Sequence, residues 1–112
     1  MADLQFHPVG TAERWREMSL VAQLGNVGSE VARSSRAKAQ GNQARHGLAL
    51  ARALELFDLT LGDPRWQGRR KEIARAREVV CDFLVGDNEY GSTAASLDAY
   101  FLQYAVAARL GR

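Results

Sequence analysis

The chain has 112 residues, a length suited to one domain, and 46% of them are hydrophobic, which excludes wholesale disorder. A formal net charge of +2 is too weak a bias to imply nucleic acid by itself. No apolar run reaches the roughly 18–20 residues of a membrane span, so no membrane partner is expected.

The opening MADLQFHPVG has neither a basic start nor an apolar core, so no signal peptide is apparent and a soluble cytoplasmic protein is the expectation. Residues 1–10 read as a tail in which Phe6 and Val9 tuck against the rest, with Pro8 breaking any early helix. Residues 11–112 read as a single domain. Thr11 is a candidate N-cap for a first helix running to about Lys38. Trp15, Met18, Ala22, Gly25 and Ala32 mark one apolar side of it, and Leu20, Leu24, Val27 and Val31 an adjoining one. Arg16, Gln23, Glu30 and Arg33 define its wet side. Gly25 and Gly28 each cost about 1 kcal/mol of helix propensity against Ala. Close approach of a neighbouring helix along the Gly25–Ser29–Ala32 row would compensate.

Gly41 suits a helix terminator and Asn42 the cap of a second helix, Gln43 to Leu61. After Arg45 the charges on that helix are Arg52, Glu55 and Asp58, which span about 120° of its circumference. Roughly two thirds is left apolar, more than the stripe of about 100° that one core requires. Gly62-Asp63-Pro64 supplies a terminator, an N-cap and a first-position proline, and Gly68 points to a loose opening turn around Arg65–Gln67. A third helix over about Arg69 to Val85 has its seam at Ile73, Ala76, Val80 and Phe83, widened by Val79 and Leu84. Its other faces are charged. Cys81 sits in VVCDFLV and reads as a small core residue, with a reactive thiol as the alternative.

The run Gly86–Ser92 reads as a polar turn shaped by Asn88 and Gly91, with cation binding by Asp87 and Glu89 as the alternative. Ser92 or Thr93 caps a fourth helix that ends near Leu110. Its seam is Leu97, Phe101, Tyr104 and Ala108, and its remaining surface repeats the apolar surplus of the second helix. Four helices joined by short connections predict an all-α, up-down-up-down antiparallel bundle. The two apolar surpluses predict a closed homo-oligomer buried through the second and fourth helices.

Chemistry is sparse. One cysteine and two histidines, His7 and His46, make no zinc set, no paired Glu-x-x-His motif suits a di-iron bundle, and no cofactor is implied. The enzyme alternative is a hydrolase or nuclease built from Glu55, Asp58 and His46 across subunits. The bland readings are an Arg52–Glu55 ion pair and, for His46, a surface residue or a polar end-of-helix contact. Charge is less even than its sum. One bundle end gathers Arg65, Arg69, Arg70, Lys71 and Arg75 against Glu13, Glu17, Asp58, Asp63 and Glu72, with Trp66 placed to stack on a base. These basic residues and Trp66 are the candidate RNA- or DNA-binding residues. The alternative is a solvated face with local ion pairs and a Trp66 that pins a loop. The other end adds Arg33, Arg36, Lys38 and Arg45, offset by Asp82, Asp87, Glu89 and Asp98.

QLGNVGSEVARSSRAKAQGN, followed by ARHGLALARALELF, resembles the S23-like four-helix-bundle family. That family includes proteins encoded in intervening sequences of 23S ribosomal RNA and the accessory variability proteins of diversity-generating retroelements. The shared pattern is Asn26, Glu30 and Arg33 on the first helix and an Ala/Leu-rich second helix carrying Glu55, over residues 20–60. The strings RALELFDLTLGDPR and FLVGDNEYGSTAASLDAYFLQYAVAAR are similar to a conserved cytosolic protein family of plant-pathogenic bacteria, of unassigned biochemical function. That likeness implies a ring of five four-helix bundles, a homo-pentamer. The S23-like likeness implies basic surfaces that engage RNA or DNA and protein partners. The expected function is that of a non-catalytic oligomeric interaction or scaffold protein.

Overall fold

The structure is a computed structural model and describes residues 11–111. The expected tail over residues 1–10, with its contacts by Phe6 and Val9, lies outside them. Among the described residues the chain forms helices α1 (Thr11–Glu17), α2 (Leu20–Ala39), α3 (Gln43–Leu61), α4 (Arg70–Leu84) and α5 (Ala94–Arg109), with a 3-10 segment over Pro64–Arg69 and no strand. The all-helical expectation holds.

The helix expected from Thr11 to about Lys38 is two helices. Ser19 leaves helical geometry (φ −68°, ψ 162°) and its hydroxyl accepts from the Ala22 amide at 3.2 Å, so it starts α2 afresh. A serine hydroxyl offers the backbone this competing partner, which the helical periodicity of the sequence does not show. The other boundaries follow the expected residues. Gly41 turns at φ +73°, the Asn42 side chain accepts from Arg45 N at 3.1 Å, and Asp63 caps a segment that opens on Pro64. Trp66 departs from helical geometry inside that segment (φ −108°, ψ 21°), the loose turn foreseen from Gly68. Thr93 and Ser96 form a reciprocal capping box at the start of α5.

Contacts between helices set their directions. Gln23 meets Asp63 and Ser34 meets His46, so α2 and α3 run antiparallel. Gln23 meets Trp66 while Lys38 donates to the carbonyls of Phe83 and Leu84 at 3.0 Å, so α4 runs parallel to α2 and Lys38 caps its last turn. Gly28 faces Phe101 and Gly25 faces Ala105, so α5 runs antiparallel to α2. The directions are up-down-up-down.

The core holds Leu24, Val27 and Val31 of α2, Ala53, Leu56 and Phe57 of α3, Ile73, Val80 and Leu84 of α4, and Leu97 and Phe101 of α5. The innermost fourth position of α4 is Leu84 rather than Phe83, which is half-buried under the Lys38 ammonium. Phe101 meets Phe57 edge-on at 6.4 Å and Tyr100 at 5.0 Å. α2 packs extensively on α3 and α5, and α4 leans mainly on α3. The seam between α4 and α5 is open: a groove of about 360 Å³ runs between Ala76, Val79 and Val80 on one side and Leu97, Tyr100 and Phe101 on the other. A four-helix bundle that closed on itself would have filled it.

The two α2 glycines do face a neighbour, and that neighbour is α5. A Cβ on Gly28 would lie 2.4 Å from Phe101 Cβ, and one on Gly25 3.3 Å from Ala105 Cα. Ser29, expected in that row, is exposed and donates to Gly25 O. We predict that Gly28→Ala destabilises the protein by about 1–3 kcal/mol in urea unfolding, because overpacking against Phe101 outweighs the gain in helix propensity. An unchanged or raised midpoint would contradict the packing described here.

Candidate functional site

The basic surface begins where Asp63 caps the 3-10 segment. Asp63 Oδ1 accepts from the Arg65 amide at 3.0 Å, which places the Arg65 side chain back over the same carboxylate. Arg65 Nη2 donates to Asp63 Oδ2 at 2.7 Å and to Met18 O at 2.8 Å, and its guanidinium lies 4.4 Å from the Trp66 ring centre. The Trp66 indole N–H donates to Gln23 Oε1 at 2.9 Å. Gln23 Nε2 donates to Trp15 O at 2.7 Å and to Asp63 Oδ2 at 3.3 Å, and Trp15 Nε1 donates to Thr60 Oγ1 at 3.0 Å. Gln23, expected on the wet side of its helix, is completely buried. Its carboxamide joins α1, α2 and the 3-10 segment, which no helical periodicity could reveal.

The candidate nucleic-acid residues therefore divide. Arg65 and Trp66 are engaged in this knot. Arg69 Nη2 pairs with Glu72 at 2.8 Å, and Tyr104 donates to the same carboxylate at 3.2 Å. Arg75 lies over the Tyr90 ring at 5.3 Å, whose hydroxyl donates to Glu78. Arg70 and Lys71 are exposed, and no carboxylate among the described residues pairs with either.

Electrostatics follow these contacts. The hydrogen bond from Arg69 holds the Glu72 carboxyl below its ordinary value, and burial pushes the Tyr104 hydroxyl well up. The Arg65 guanidinium holds Asp63 down at about 2, against an opposing contribution from burial. Burial also pushes the Cys81 thiol up, which favours a packing role over a reactive one.

The alternative triad does not converge within one chain. Twelve residues of α3 separate His46 from Asp58, about 18 Å along the axis. His46 Nδ1 lies 2.8 Å from Ser34 Oγ, and the Ser34 hydroxyl donates to His46 O at 3.0 Å, tying α2 to α3. Asp58 accepts from Arg77 Nε at 3.1 Å. In the Gly86–Ser92 loop, Asp82 accepts from the amides of Glu89 and Tyr90, and Asn88 takes positive φ (54°) and bonds Ser92 through both amide atoms. This is the turn geometry expected of Asn88 and Gly91.

The apolar surplus lies mostly on α5. Leu102, Val106 and Leu110 are 56%, 39% and 62% exposed, along a strip completed by Ala99, Gln103 and Ala107. On α3 the surplus is largely half-buried, with Leu48 as its exposed member. Among the described residues no helix is long and apolar enough to cross a membrane. No protein-family model, curated protein or solved structure matches the chain.

The Asp63 carboxyl binds its proton at about pH 2 in the fold, below its ordinary value of 3.8. The stability it contributes is therefore complete above about pH 4 and is lost as pH falls through about 2. We expect the thermal-stability advantage of the wild type over Asp63→Asn to shrink across that window. A constant gap from pH 5 to 2 would count against the Asp63–Arg65 pair.

Proposed function

We propose that the protein is a non-catalytic, homo-oligomeric interaction protein whose copies meet through the outward face of α5. The carrying observation is the strip of Ala99, Leu102, Gln103, Val106, Ala107 and Leu110, which among the described residues holds three large exposed apolar side chains and no charged one. Burying a Leu or Val side chain contributes about 1.5–3 kcal/mol, enough across a repeated contact to offset the cost of association. A second copy is the occupant that supplies the same uncharged strip. Five copies in a closed ring is the stoichiometry we propose, in line with the resemblance drawn from the sequence. Leu102→Glu with Val106→Glu should convert the oligomer to a monomer in light scattering while leaving the helical circular dichroism intact. A wild-type monomer at tens of micromolar would remove the proposal.

Nucleic-acid binding by the same oligomer is a second reading, favoured by the exposed Arg70 and Lys71, with which no carboxylate among the described residues pairs. It would use those two together with Arg69 and Arg75, leaving Arg65 and Trp66 to the knot. Arg70→Ala with Lys71→Ala should then weaken RNA or DNA binding and flatten its dependence on salt, since each phosphate contact displaces counterions. An unaltered salt slope would exclude these two as phosphate contacts.

A further inference from the structure

A second basic site lies on the opposite end of the bundle, on the outer side of the α2–α3 hairpin. Arg33, Arg36 and Gln40 recur along one face of α2, and Arg45, Leu48 and Arg52 along the facing side of α3. They line a cavity of about 500 Å³, within the range of small-molecule sites. Ala37 and Ala49, both buried, lie between them, small enough to leave the space open. Among the described residues the lining contains no acidic side chain. Of the four arginines only Arg33 has a carboxylate, Glu30 at 3.3 Å, among the described residues. The acids expected to offset this end are partly committed elsewhere, Asp82 to the backbone of the α4–α5 loop.

The arrangement is unfavourable for the fold alone. Like charges three or four residues apart on a helix, or facing one another across a hairpin, repel. Arg45 stands in the first turn of α3, where the helix dipole disfavours a cation and where no acidic residue compensates. Lys38, by contrast, is used to cap α4. Guanidinium groups suit phosphate because their paired N–H groups match its oxygens. Seven residues of helix spread the arginines over about 10 Å, too far for one orthophosphate to meet all four.

We propose that this groove binds a small molecule carrying a di- or triphosphate chain. The chain lies across Arg33, Arg36, Arg45 and Arg52, and the organic body rests against Leu48. The site does not depend on the oligomer contact or on the Arg70–Lys71 surface.

Titration calorimetry at low salt with tripolyphosphate, ATP and orthophosphate tests it on the full chain. Tripolyphosphate or ATP should bind saturably, at least tenfold tighter than orthophosphate. Binding should fall at least tenfold in Arg36→Gln/Arg45→Gln. It should persist in Arg14→Gln/Arg16→Gln, which removes the same charge from exposed positions on α1 at the other end. The ligand-free Arg36→Gln/Arg45→Gln protein should melt at or above the wild-type temperature at low salt, because repulsion has been relieved. If that protein fails to fold, Arg33→Gln/Arg52→Gln reads the far half of the groove. Absence of saturable binding, or an equal loss in the α1 control, would overturn the proposal. So would displacement of tripolyphosphate by an unphosphorylated RNA oligonucleotide at lower concentration, which would assign the groove to a polynucleotide.

Discussion

One buried carboxamide organises half of this protein. Gln23 accepts from the Trp66 indole and donates to both the Trp15 carbonyl and the Asp63 carboxylate. Few side chains offer an acceptor and two donors without carrying charge, and Gln23 has the reach to do so from the first turn of α2. Asp63 is in turn neutralised by Arg65, so the carboxylate buried beside Gln23 is paired and hydrogen-bonded. The consequence runs outward. α1 must break from α2 for Trp15 to come back to Thr60, and the segment after α3 must tighten into a 3-10 turn to deliver Trp66. The start of α4, with its row of arginines, is positioned by these constraints.

This explains which parts of the fold were legible beforehand. Caps and terminators act through neighbours in sequence, so Gly41, Asn42, Asp63, Pro64 and Thr93 could be placed from the chain alone. The glycines of α2 announced a close approach, although the partner and row required the structure. The break at Ser19 is not legible, because a serine within an apolar helical pattern carries no mark of whether its hydroxyl will cap or stay in solvent. Gln23 reads as exposed and is buried, because polarity is a guide to exposure only where no distant partner exists. Two of its partners, Asp63 and Trp66, lie 40 and 43 residues away along the chain.

The charged residues obey the same division between local and distant. Arg69–Glu72 and Arg33–Glu30 are pairs on adjacent turns and could be read from spacing. Arg65 and Trp66 looked like an Arg–aromatic unit open to a ligand. Their apposition in space is real, but Asp63 and Gln23 use both polar groups. The sequence places Arg33, Arg36 and Arg45 at one end of the bundle, but not the groove they form with Arg52. Its arginines come from two helices and are diluted in sequence by alanines, and only the hairpin brings them to one cavity.

α5 is held by its own chain along one edge, against α2. Only Leu97 and Phe101 of its side chains are fully buried, its outward strip meets nothing among the described residues, and the side toward α4 opens into a groove. Its attachment is chiefly to α2, through a track that the two glycines make shallow enough for Phe101 and Ala105 to sit close. A helix held along one edge gains less from packing than its apolar content would allow, and most helical stability comes from packing. A contact between copies at Leu102, Val106 and Leu110 would supply what the monomer withholds. Association and the ordering of α5 would then be linked, each favouring the other by the same free energy. The open seam fits that logic, because a helix that must also meet a neighbour cannot be drawn fully into its own core.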